Sequence, residues 1–146
     1  YGKQIDDNEL LQQFEPFLNF TDEEIFHAEM ILNEYNISQY KKIICFAARS
    51  KYARNETFET ARNSNILNQL DGINKLIDKG YIAFRLGINE QIQLPKKLPN
   101  QIIDFAFSSK RSDLVDLYLV SKCSFFISSG KSAILIIFPE VTTVSQ

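Results

Sequence analysis

The sequence predicts an α/β fold: a Rossmann-like parallel sheet with helices on both faces. Three observations carry that prediction. Residues 43–48 form a continuous apolar run, Ile43-Ile44-Cys45-Phe46-Ala47-Ala48, as expected of a strand buried on both faces. Short runs of this kind alternate with segments of helical period. The alternation repeats along most of the chain, which is the pattern of parallel strands joined by crossover helices.

Taken in order, residues 1–20 show no clear period. Phe14, Phe17, Leu18 and Phe20 flank Pro16 and suit a lead-in segment that packs through its aromatics. Thr21 and Glu24 have capping-box spacing and open the first helix. Ile25, Ala28, Leu32 and Tyr35 follow at helical intervals, with Asn36 as the end. The first strand then covers 43–48 and stops at Arg49. A polar, highly charged loop occupies 50–64, long enough to suggest a functional role.

A second helix is expected over 65–79, with Ile66, Leu70, Ile73 and Ile77 on one face and Gly80 as its C-terminal cap. Gly72 within it costs roughly 1 kcal/mol relative to alanine. Residues 81–84 make the second strand, ending at Arg85-Leu86-Gly87. Pro95 and Pro99 mark 88–101 as loop. A third strand is expected over 102–107. Ser112 caps a third helix reaching Lys122, apolar nearly all round and therefore well buried. A fourth strand spans 123–127, followed by the turn Ser128-Ser129-Gly130. Residues 132–138 suit either helix or strand. Pro139 ends them, and 141–144 form a last strand.

Composition limits function. The chain has 146 residues, a length suited to one domain. The division expected is a lead-in and first helix over 1–40 and a Rossmann-like domain over 41–146, packed as one unit. Hydrophobic residues make up 45% of the chain, enough for a core. The net charge of −2 argues against a protein that grips nucleic-acid polymers through phosphates. No apolar stretch has the length of a membrane span. The opening Tyr1, without a basic and apolar leader, reads as a fragment of a larger chain. Cys45 and Cys123 sit in or beside apolar runs and read as buried free thiols of a reducing compartment. His27, the only histidine, reads as an ordinary surface or boundary residue.

In open parallel sheets, ligands bind beyond the carboxyl ends of the strands. The residues there are Arg49, Arg85 with Gly87, the segment 108–111 ending in Arg111, and the segment from Ser128 to Ser132. Each arginine alone reads as surface charge. Three arginines and a serine-rich turn on one rim suit a phosphate or diphosphate, through forked charged hydrogen bonds, hydroxyls and exposed N–H groups. Gly130-Lys131-Ser132 is not a P-loop, because Phe125 stands where that pattern needs glycine. No Asp-x-Asp triplet occurs. Asp113 and Asp116 read as complements to the helix dipole, or, for Asp113, as a group orienting Arg111. No dedicated metal site and no cofactor are expected.

Three blocks carry a resemblance: Ala61-Arg62-Asn63-Ser64-Asn65-Ile66; Phe84-Arg85-Leu86-Gly87; and the stretch from Arg111-Ser112-Asp113-Leu114-Val115-Asp116 through Ser121-Lys122-Cys123-Ser124-Phe125-Phe126-Ile127 to Ser129-Gly130. Together they span most of the chain after Lys41. In order and spacing they resemble a bacterial group of surface-carbohydrate glycosyltransferases. The last block is also distantly similar to the nucleotide-binding region of fucosyltransferases with the GT-B architecture. The resemblance implies the C-terminal, donor-binding domain of such an enzyme. Its substrate would be a nucleoside diphosphate sugar and its acceptor a glycan or other surface carbohydrate. The chain would be cytoplasmic, or peripheral at the inner membrane face, and would pack on an acceptor-binding domain not present in this sequence.

By the same resemblance Arg49 contacts the donor diphosphate and stabilises the leaving group. Ser128, Ser129 and Ser132, with Gly130 between them, hold phosphate oxygens. Arg62, Arg85, Gly87, Arg111 and Asp113 lie in the shared blocks. No catalytic base is identifiable. Two other readings stand beside this one: a non-catalytic nucleotide- or phosphate-binding module, and an α/β domain that mediates protein contacts.

Overall fold

The computed structural model describes residues 19–40, 42–48, 65–88, 90, 92–128 and 142–145. The expected loop at 50–64 and the segment 132–138 lie outside them.

The first helix, α1 (Asp22–Asn33), starts where the capping box placed it. The Glu24 amide donates to Thr21 Oγ1 at 3.3 Å, and the Thr21 amide donates to Glu24 Oε2 at 2.8 Å. Asp22, Glu23 and Glu24 add negative charge at the positive end of the helix dipole. The helix ends at Asn33, three residues before the expected stop, and a turn carries the chain to Asn36. Asn36 takes the left-handed conformation (φ 51°), which asparagine tolerates better than most residues. A 3-10 turn at Ile37–Gln39 follows.

Strand β1 (Lys42–Ala47) is central. The second helical segment begins at Asn65, whose Oδ1 accepts the Leu67 amide at 3.0 Å. Its first turn, Ile66–Gln69, is a 3-10 turn that runs into α2 (Leu70–Ile77). Gly80 closes the segment at φ 87°, a left-handed conformation that strains any residue with a Cβ. Then come β2 (Tyr81–Arg85), β3 (Ile102–Ile103), α3 (Asp113–Lys122), β4 (Phe125–Ser128) and β5 (Thr142–Ser145).

All the described strands run parallel, in the order β3-β2-β1-β4-β5. This is a Rossmann-like order. The chain lays strands outward on one side of β1, then returns to build on the other side. The order therefore reverses between β1 and β4, where Ala47 and Ser128 are register partners at the strand ends.

Both faces of the sheet are covered, because successive side chains of a strand point to opposite faces. Cys45, Ile82, Phe84 and Phe126 pack against Ala28, Ile31 and Leu32 of α1 and Val115, Tyr118 and Leu119 of α3. Ile44, Phe46, Ala83 and Ile127 pack against Ile66, Leu70 and Ile73 on the other face. The apolar run at 43–48 is thus explained by helices above and below. Full burial of each such Phe, Leu or Ile stabilises the fold by roughly 1.5–3 kcal/mol. Helix α1 shares its core with the sheet, so the lead-in boundary near residue 40 does not divide the packing.

Two expected strands are corrected. The third stops after Ile103, and Phe105–Phe107 forms a 3-10 turn instead. The Asp104 carboxylate is drawn to Arg85 and to the Leu94 amide, while Phe105 turns inward to meet Phe84 and Tyr35 edge-on at 6.0 and 6.1 Å. The fourth strand begins at Phe125, not Cys123. Cys123 caps α3, and the Ser124 amide, donating to Ile43 O at 2.8 Å, leads into the sheet.

Candidate functional site

The carboxyl edge of the sheet is the place to look, and its described part divides into three groups of polar residues. On the β2 side, Arg85 ends its strand almost wholly buried, at 1% exposure. Its Nη1 donates to Ile92 O at 2.6 Å and to Asp104 Oδ1 at 3.2 Å, and its Nη2 donates to Glu90 Oε2 at 3.0 Å. The guanidinium also lies over the Phe107 ring, 5.6 Å from its centre. Asp104 in turn accepts the Leu94 amide at 2.7 Å. Arg85 therefore ties the connection between β2 and β3 to the sheet. Gly87 belongs to the same arrangement. A Cβ there would meet the Glu90 side chain at 2.7 Å, and Glu90 is pinned by Arg85.

The second group opens α3. Ser112 Oγ accepts the Val115 amide at 3.3 Å, as the sequence predicts. Arg111 Nη2 bridges Asp113 Oδ1 at 2.9 Å and Asp116 Oδ2 at 2.7 Å. The reading of Asp113 as a group that orients Arg111 agrees with this geometry. Nearby, Lys110 pairs with Glu34, and Tyr118 donates its hydroxyl to Glu29 Oε1 at 2.8 Å, tying α3 to α1.

Each arginine thus faces two carboxylates, and each cluster is net negative when all groups are ionised. Burial raises the Asp116 carboxyl to about 6, against the opposing pull of Arg111 and with a push from Asp113. Burial likewise raises Glu90, opposed by Arg85 and helped by Asp104. These surroundings attract protons more than anions.

The third group lies at the switch point between β1 and β4. Phe46 O accepts the Leu86 amide at 2.9 Å, so it faces β2. Carbonyls alternate sides along a strand, so Ala47 O faces β4. There it accepts a hydrogen bond from Gln69 Nε2 at 3.0 Å. Gln69 is 3% exposed, and its Oε1 is buried without a hydrogen-bond partner among the described residues. Ser128, half-buried, closes β4 beside Ala47.

Of the residues singled out by sequence, Arg85, Gly87, Arg111, Asp113 and Ser128 are described. The structure brings Arg85 to Glu90 and Asp104, and Arg111 to Asp113 and Asp116. Arg49, Arg62, Ser129, Gly130 and Ser132 lie outside the described residues. Sequence reasoning missed Gln69, Glu90 and Asp104. Gln69 had a visible signal. It lies three residues after Ile66 and four before Ile73, a polar residue on the apolar face of its helix. Glu90 and Asp104 had none, since their partner is brought to them only by folding.

The cysteines are free and buried, as expected. Burial pushes the Cys45 thiol well above its ordinary value, and Cys123 Sγ donates to Val120 O at 3.1 Å. Among the described residues no group of three or more His, Cys, Asp or Glu side chains is placed to hold a metal ion, and no helix is long and apolar enough to cross a membrane. No protein-family model, curated protein or solved structure matches the chain.

Proposed function

We propose that this chain is the donor-binding part of a glycosyltransferase that moves a sugar from a nucleoside diphosphate sugar to a surface-carbohydrate acceptor. The observation that supports it most is the reversal of strand order between β1 and β4, since ligands of open parallel sheets bind at such reversals. In the sequence, Arg49 follows the last residue of β1 by two positions, and Ser129, Gly130 and Ser132 follow directly on β4. With Arg85 and Arg111 engaged by carboxylates, the reading rests on Arg49 and the serine turn for its anion site.

In the proposed reaction the bond between sugar and diphosphate stretches toward an oxocarbenium-like state. Negative charge then grows on the departing diphosphate. Arg49 and the hydroxyls and amides of the serine turn would stabilise that charge where it develops. A cytoplasmic location, peripheral to the inner membrane face, goes with this reading. So does packing on an acceptor-binding domain.

The two net-negative clusters favour one alternative, a module that binds a nucleotide without catalysing transfer, because they leave fewer cations to stabilise a leaving group. Calorimetric titration with UDP, GDP, CDP, ADP and TDP tests the binding common to both. We expect one of them to bind and Arg49→Ala to weaken it by at least about tenfold, the loss of one charge-assisted contact. Absence of binding to all five would sink both readings. Release of diphosphate from the matching nucleotide sugar, with or without an acceptor, separates the enzyme from the module.

A further inference from the structure

We propose that Cys45 and Cys123 form a reversible dithiol–disulfide pair, which a peroxide closes into a covalent staple between β1 and the junction of α3 with β4.

The fold brings the two together from distant parts of the sequence. Cys45 lies in β1, and Cys123 caps the C-terminal end of α3. The Ser124 amide, next in the chain, donates to Ile43 O at 2.8 Å, and Cys45 is the register partner of Phe126. The start of β4 thus runs alongside β1 at Cys45. Both side chains belong to the same apolar cluster, between the sheet and helices α1 and α3. Within it the Cys45 thiol donates a hydrogen bond to the Cys123 sulfur. Cys123 Sγ in turn donates to Val120 O at 3.1 Å. The two sulfurs are therefore direct neighbours, and both are free.

Their surroundings give the sulfurs different roles. The thiolate is the form that reacts. Cys123 accepts the Cys45 hydrogen bond, which lowers its thiol below the ordinary value against the opposing effect of burial. Cys45 is raised well above it, by burial first, then by that same hydrogen bond and by the charges of Cys123 and Asp116. Exposure divides them in the same direction: Cys45 is 0% exposed and Cys123 retains 7%. Cys123 is thus the sulfur that meets the oxidant, and Cys45 the one that resolves the product. With hydrogen peroxide, the Cys123 thiolate attacks one oxygen, the O–O bond breaks, and the departing hydroxide takes a proton to leave as water. The Cys45 sulfur then attacks the sulfenic acid at Cys123. The S–S bond forms, the S–O bond breaks, and the leaving hydroxide carries off the Cys45 proton as a second water. Two electrons pass from the sulfurs to one peroxide, and a dithiol reductant restores both thiols. Because the cysteines lie far apart in sequence, the disulfide closes a long loop and restricts the unfolded chain more than the folded one.

The test treats the dilute chain with hydrogen peroxide under native conditions, denatures it with a maleimide present, and weighs it intact before and after dithiothreitol. We expect a monomer lighter by two hydrogens that takes up no maleimide. Its cysteine peptides should stay joined after proteolysis until dithiothreitol parts them. Its melting temperature should lie at least about 3 °C above that of the reduced chain. Cys45→Ser should stop at a sulfenic acid on Cys123, which dimedone traps, whereas Cys123→Ser should keep its remaining thiol. Maleimide on both cysteines after peroxide would overturn the pair, as would sulfinic acid or disulfides between chains as the main product. A disulfide with an unchanged or lower melting temperature would overturn the staple. Oxidation of Cys45 in Cys123→Ser would overturn the division of roles. The wild-type mass and melting temperature serve as the test if neither variant folds.

Discussion

The two sides of the carboxyl edge treat buried polar groups in opposite ways. Beyond β2, Arg85 finds its counter-charges within its own chain, with Glu90 and Asp104 on the guanidinium, and Asp104 also accepts the Leu94 amide. Between β1 and β4, Gln69 satisfies its donor, while its buried acceptor has no partner among the described residues. A closed network holds a loop, whereas an unpaired buried acceptor costs free energy. One of the arginines that the sequence placed on the candidate rim is thus engaged by the chain itself. The glutamine, which drew no notice, lies beside the reversal of strand order.

The largest expected effect tests the closed side. Arg85→Met should remove about 3–5 kcal/mol of stability, because Glu90 and Asp104 lose their counter-charge in a poorly hydrated site. Denaturant unfolding checks this. If nucleotide affinity also collapses in protein that is still folded, Arg85 belongs to the ligand site and the contrast breaks.

Ser112→Ala should cost about 1 kcal/mol through loss of the cap on α3. Its measure is again the unfolding midpoint. Nucleotide binding should not change, since Arg111 Nη2 at that helix start is held by Asp113 and Asp116.

The smallest effect concerns pH. Burial raises Asp116 from 3.8 to about 6. Between those values the folded chain holds a proton that the unfolded chain has released, so stability must fall as pH rises through that window. The contribution is on the order of 1 kcal/mol, reduced by the partial solvent access of the pair. Asp116→Asn should flatten that part of the stability curve. A variant with the wild-type slope would show that the Arg111 pairing outweighs the burial.

Much of this fold was legible before folding was considered. Thr21 with Glu24, Ser112 and Gly80 mark helix ends through interactions within a few residues, so their local sequence suffices. The apolar run from Ile43 to Ala47 signals a two-faced strand because both faces must be covered. The third strand was misjudged for the reverse reason. Its residues have good strand propensity, but Asp104 is claimed by Arg85, nineteen positions away, and Phe105 by an aromatic cluster. Likewise the position of Arg85 after a strand was readable, while its engagement by Glu90 and Asp104 was not.

By itself, then, the sequence determined the class of fold, the order of its elements, the caps of its helices and the candidate rim of arginines and serines. These depend on periodicity and on hydrogen bonds between near neighbours. Only the tertiary structure decided which of those polar groups neutralise one another. Pairing between distant residues depends on the register of the strands and on what each burial leaves unsatisfied. That is why Arg85 and Arg111 came to pair with carboxylates, and why the Gln69 amide came to lie beside the strand-order reversal.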